Sequence, residues 1–116
     1  MPKASTETAS VATAPRYVRL ATFEVEGPDR VDKAIGLNRR QIEAGLASPP
    51  EGLEGVRGVW MLVDRESGTT MDLALFDTEE DLRRAHETLS AMSPADGEGR
   101  RTSVGLYEVA FRIDGS

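Results

Sequence analysis

A few side chains of this 116-residue chain stand out as able to do chemistry. His86 is the only histidine, and an unperturbed imidazole, with a pKa of about 6.5, can take or give a proton near neutral pH. It sits at the edge of the apolar stripe of a helical segment, a place that a partly solvated structural histidine fills equally well. Asn38 falls near the middle of another helical stripe, where its amide is either offered to a pocket or satisfied by neighbouring backbone. Asp72 and Glu108 interrupt strands that are otherwise apolar. A structural ion pair with Arg19 or Arg112 accounts for them as well as an active site does. Trp60 brings aromatic bulk to a strand and suits either core packing or ring stacking. No spacing rule of a catalytic motif joins these residues.

Whole classes of chemistry fall away on composition. One histidine and no cysteine leave no thiolate nucleophile, no disulfide, and neither a cysteine-ligated nor a His-cluster metal site. No glycine-rich strand-to-helix turn is present to cradle a phosphate. A net charge of -6 gives no electrostatic footprint for nucleic acid. No apolar run approaches the roughly 20 residues that span a bilayer, so no membrane partner is expected. With no secretory h-region, the expected location is the cytoplasm.

The elements that must position these side chains follow from periodicity. Residues 1–15 are rich in Ser, Thr and Ala without apolar periodicity and read as a disordered tail, leaving 16–116 as a single domain. A first strand is expected over 17–26, broken by Gly27-Pro28-Asp29. From Asp29 to Gly45 the spacing turns helical, with Val31, Ala34, Ile35 and Ile42 on one stripe. A Pro- and Gly-containing loop follows. Val59 to Val63 and Met71 to Phe76 form a hairpin around Asp64 to Gly68, where Gly68 supplies the positive φ that a bulged loop prefers. The first hairpin strand is apolar on both parities, which predicts burial of both its faces. Thr78 caps a second helix with an acidic first turn and a stripe of Leu82, Ala85, Leu89 and Met92, ending before Pro94. After a polar loop over 95–101, a last strand is expected from Val104 to Ile113.

The resulting order, βαββαβ, is the ferredoxin-like arrangement: a four-stranded antiparallel sheet with two helices on one face. The other face is then bare. Leaving Trp60 or Met61, Phe76, Leu106 and Ala110 in water would expose an apolar patch of a kind monomers rarely carry, and a second copy packed sheet to sheet is the simplest cover. A homodimer is expected.

These residues also carry a family resemblance. Tyr17-Val18-Arg19-Leu20-Ala21-Thr22-Phe23-Glu24, Gly55-Val56-Arg57-Gly58-Val59-Trp60, Leu62-Val63-Asp64-Arg65-Glu66-Ser67-Gly68, Leu75-Phe76-Asp77-Thr78-Glu79-Glu80-Asp81-Leu82, Ala85-His86 and Leu106-Tyr107-Glu108-Val109 together resemble the antibiotic biosynthesis monooxygenase (ABM) domain of the dimeric α+β barrel superfamily. The resemblance implies a pocket in each subunit between sheet and helices, holding an apolar polycyclic molecule or haem. In the cofactor-independent oxygenases of that family a phenolic or anthrone-type substrate, once deprotonated, supplies its own electrons to oxygen. The protein binds, deprotonates and excludes water. On that basis His86 is the candidate base, Trp60 an aromatic wall, and Arg19, Asn38, Asp72 and Glu108 polar contacts. The haem-degrading branch combines an asparagine on the first strand with a tryptophan and a histidine on the second helix. Here the histidine corresponds to His86, but the other two positions fall at Ala21 and near Asp77, which leaves only haem binding through His86. Because one fold hosts many chemistries, a non-catalytic homodimeric module that binds a ligand or another protein is the alternative expectation.

Overall fold

A computed structural model describes residues 14–115 of the chain. The expected tail over 1–15 lies almost wholly outside the described residues. Strand β1 (Tyr17–Glu24) buries its odd positions, Arg19, Ala21 and Phe23, and leaves the even ones more open. Gly27, at φ 83°, and Pro28 then turn the chain into helix α1 (Asp29–Ala47). Asp29 and Asp32 lie in its first turn, where carboxylates suit the positive end of the helix dipole. Its buried stripe is Val31, Ala34 and Asn38.

The hairpin of β2 (Gly58–Asp64) and β3 (Thr69–Phe76) closes through Gly68, at φ 76°, whose N–H donates to the Asp64 carbonyl at 2.9 Å. Helix α2 (Glu79–Ser90) begins where Thr78 Oγ1 accepts the Asp81 N–H at 3.1 Å, as its sequence predicts. Strand β4 (Arg100–Glu108) completes an antiparallel sheet of order β2-β3-β1-β4. This is the ferredoxin-like βαββαβ fold.

Register sorts the sheet residues into rows. Val59, Ala74, Arg19 and Leu106 align across the sheet, as do Met61, Asp72, Ala21 and Val104; these rows face the helices. Phe76, fully buried, anchors a core with Ala74, Leu82 and Ala85, and Leu53, Val56, Val59 and Leu106 pack around it. The alternate rows, Trp60-Leu73-Leu20-Gly105 and Leu62-Met71-Thr22-Ser103, lie on the opposite face.

That opposite face corrects three expectations. Trp60 and Leu62 are exposed, and the helix-facing Val59, Met61 and Val63 are only half-buried, so neither face of β2 is fully buried within a protomer. The bare face carries Leu20, Trp60, Leu62 and Leu73 with Tyr107, and not Met61, Phe76 and Leu106, which turn toward the helices. Both parities of β3 are apolar enough to face a core, and the bulkier Phe76 goes where the helix stripes need volume. Strand β4 begins at Arg100 and ends at Glu108; Val109 donates to the Arg16 carbonyl, and Ala110 to Ile113 run on outside the sheet.

Candidate functional site

The helix-facing side of the sheet gathers charge where a plain alternation rule would put only apolar groups. Arg19, on the central strand β1, is 5% exposed, and Asp72, on β3, lies one row away. Their row neighbours Ala74 and Ala21 are small, which leaves space at the sheet surface for the longer polar side chains.

Asp72 is held from the helix side. Asn38 of α1 donates from Nδ2 to Asp72 Oδ1 at 2.7 Å. The buried amide thus finds a side-chain partner, where the sequence reading weighed a backbone one. Burial pushes the Asp72 carboxyl up to about 6; the Asn38 bond pulls the other way, Glu98 adds to the rise, and the Arg19 charge opposes it. A carboxyl tuned to that range holds a proton loosely enough to release it and tightly enough to take one near neutral pH.

Arg19 is held from the other helix. Its Nε donates to His86 Nδ1 at 3.3 Å, linking β1 to α2, and Ser90 Oγ lies 3.4 Å from the same nitrogen. Its Nη2 is buried and has no hydrogen-bond partner among the described residues. Burial first, then the nearby Arg101 charge, lower the proton affinity of the guanidinium, while Asp72 attracts it. Arg101 itself donates to the Leu89, Ser90 and Met92 carbonyls at the end of α2.

The geometry at His86 fixes its tautomer by partner. Because Arg19 can only donate, the neutral ring accepts at Nδ1 and carries its proton at Nε2. In that state no free lone pair faces outward to ligate an iron or abstract a proton. Haem held through His86 does not fit this arrangement.

Between α1 and the sheet, Phe23, Ala34, Asn38, Met61, Thr70, Asp72 and Glu98 line a narrow cleft that is too tight to admit even a water molecule. Pockets for drug-sized ligands span roughly 300–1,000 Å³, so a polycyclic molecule enters only if side chains or α1 give way. Among the described residues, no group of three His, Cys, Asp or Glu is placed to hold a metal ion.

The structure therefore brings Arg19, Asn38, Asp72 and His86 to one side of the sheet and leaves two candidates elsewhere. Trp60, 58% exposed, points from the opposite face, and Glu108 is exposed at the end of β4. Arg112, offered as a pairing partner for Asp72 or Glu108, bonds Asp114 instead. Glu98 was missed. Its only sequence signal is a carboxylate set between Gly97 and Gly99, both at φ 94°.

No family model matches the chain, and no curated protein matches it. Among solved structures, it is similar to a monooxygenase from the gene ActVA-Orf6 of Streptomyces coelicolor in complex with nanaomycin D, at 16% identity and TM-score 0.61, over 88% of this chain and 94% of that one. A dimeric ferredoxin-like protein from an uncultured marine organism matches at 9% identity and TM-score 0.58, over 90% and 96%. A variant of SnoaB, a cofactor-independent oxygenase from Streptomyces nogalater, matches at 17% and 0.53, over 88% and 100%. The likeness is one of fold: this chain shares the ferredoxin-like fold of these proteins.

Proposed function

We propose that this protein is a cofactor-independent oxygenase acting on a small aromatic, polyketide-like molecule, with Asp72 as the base. The observation that carries the reading is the half-buried Asp72 carboxylate, bonded by Asn38 and lining a cleft between the sheet and α1, in a fold shared with a cofactor-independent oxygenase. An activated methylene beside a phenol, as in an anthrone, loses its proton to Asp72. The electron pair left on carbon passes to dioxygen, the co-reactant, and forms a hydroperoxide. Loss of water then leaves a carbonyl, so that one oxygen atom enters the product and the other leaves as water.

In this reading His86 is a positioning residue. It receives the Arg19 Nε–H and holds the guanidinium in place, so its candidate role as base passes to Asp72. Arg19 supplies positive charge near the cleft, where negative charge develops as the proton leaves. Trp60 serves the other face. With Leu62 and Tyr107 exposed beside Leu20 and Leu73, that face supports a homodimer packed sheet to sheet, the dimeric ferredoxin-like neighbour being consistent with it. The test is aerobic turnover of an anthrone by wild type and Asp72→Asn, with product followed by absorbance; turnover lost in the variant supports the reading.

One observation favours the non-catalytic alternative. The cleft as it stands is smaller than a polycyclic substrate needs. A dimer that never turns over an anthrone, while keeping its fold, is the outcome that reading expects.

A further inference from the structure

Glu98 enters the cleft from a direction that neither helix nor sheet supplies. It stands on the 91–99 loop between α2 and β4, and it lines the same narrow space as Asp72. Two glycines fix its place. A Cβ at Gly97 would come within 2.7 Å of Leu37 Cδ1 on α1, and one at Gly99 within 2.4 Å of the Glu24 carbonyl oxygen. Both residues also take a φ of 94°, which side-chain-bearing residues rarely adopt. The loop is thus pressed between the first helix and the end of β1. The Glu98 side chain is itself oriented, with Oε1 accepting the Ala95 N–H at 3.3 Å.

The charged groups around this space fall into two sets. Asp72 and Glu98 line the cleft, with the Asn38 amide and the Thr70 hydroxyl between apolar Phe23, Ala34 and Met61. The cations stand behind or beside it: Arg19 is buried against His86, Arg101 is spent on the carbonyls that end α2, and Lys33 Cε lies 3.8 Å from where a Cβ at Gly97 would stand. Among the described residues, no cation lines the cleft. We propose that Glu98 is its specificity-determining residue: with Asp72 it offers two acceptor carboxylates, so the cleft takes neutral ligands that donate hydrogen bonds, phenols above all, and turns away ligands bearing a carboxylate.

The physical reason is an asymmetry of cost. A phenolic hydroxyl donated to a carboxylate makes a charge-assisted hydrogen bond. A ligand carboxylate in the same place leaves like charges facing each other with little water between them, which interfaces use to reject wrong partners. This inference rests on the reading that the cleft is the binding site. It goes beyond it by naming which aromatic molecules enter and which residue decides.

The test compares a naphthol with the corresponding naphthoate, two-ring probes that differ in charge and suit a narrow cleft. Binding is followed through the backbone amide shifts of Ala34, Asn38 and Thr70, in wild type and in Glu98→Gln, above the pH at which Asp72 ionises. Wild type is expected to bind naphthol about tenfold or more tightly than naphthoate, and Glu98→Gln to shrink that preference several-fold by admitting naphthoate. Equal binding of the two probes to wild type, or an unchanged preference in Glu98→Gln, overturns the inference and leaves the binding site in place. Failure of both probes to move the cleft amides overturns both the inference and the site.

Discussion

Asn38 Nδ2 lies 2.7 Å from Asp72 Oδ1, so one hydrogen bond ties the middle of α1 to the central part of β3 inside the protein. The bond holds the ionised form of a carboxyl that burial would otherwise neutralise. Replacing Asn38 with Leu removes the donor and keeps the bulk. The Asp72 carboxyl should then titrate above its present value of about 6, read by carbon NMR of its side chain. At a pH where Asp72 is charged, stability should fall by about 1.5–3 kcal/mol, the worth of a hydrogen bond to a charged group, measured by urea unfolding.

The same carboxyl makes stability depend on pH. Its folded pKa, about 6, lies above its ordinary value of 3.8, so the folded protein binds the proton more tightly than the unfolded chain. The resulting contribution is fully present below the ordinary value and is lost as pH rises through the folded one. Asp72→Asn removes the charge and should be more stable than wild type at pH 8, by on the order of 2 kcal/mol. The two proteins should converge as pH falls toward 4. Denaturation midpoints across that range check the sign.

Arg19 is a buried cation whose Nη2 has no partner among the described residues. Arg19→Met keeps the length and removes the charge, and replacement of buried ionic groups by apolar ones is often neutral or stabilising. Stability should therefore change little or rise, while Asp72 loses an attracting charge and titrates higher. His86 should no longer be restricted to one tautomer, because the Ser90 hydroxyl that remains beside Nδ1 can either donate to that nitrogen or accept from it. Nitrogen NMR of the imidazole distinguishes the two ring nitrogens directly.

On the far side of the sheet, Trp60 pairs in register with Leu73 beside exposed Leu62. Leu62→Arg places a charge among the exposed apolar residues of that face, on the edge strand β2, without touching the helix-side core. Sedimentation should show wild type as a dimer and the variant as a monomer at micromolar concentration. A wild-type monomer would remove the sheet-to-sheet pairing.

The order and type of every element were legible because periodicity and punctuation agree: Gly27-Pro28 starts α1, Gly68 closes the hairpin, and Thr78 caps α2. The faces of the sheet were not. Met71, Leu73 and Leu75 make one side of β3 look like core, yet the helices cover Thr70, Asp72, Ala74 and Phe76. Burying Arg19 and half-burying Asp72 breaks the alternation rule, and each finds its partner far away in sequence, His86 and Asn38. Those pairings depend on the register of β1 against β3 and on where the helices land. Composition named Arg19, Asn38, Asp72 and His86 singly. The fold made them neighbours and left Trp60 and Glu108 apart, while Glu98 gained its place from two glycines whose close contacts no local pattern encodes.

The central claim is that Asp72 starts an oxygen-consuming reaction in the cleft without any added cofactor. The most direct measurement is oxygen uptake with anthrone as substrate, using metal-free, cofactor-free protein at a pH above the Asp72 titration. Wild type should consume one dioxygen per anthraquinone formed, and Asp72→Asn, folded and dimeric, should be slower by about 100-fold or more, as expected for a lost general base. Equal rates in the two proteins, or no uptake above the uncatalysed reaction in wild type, would contradict the account.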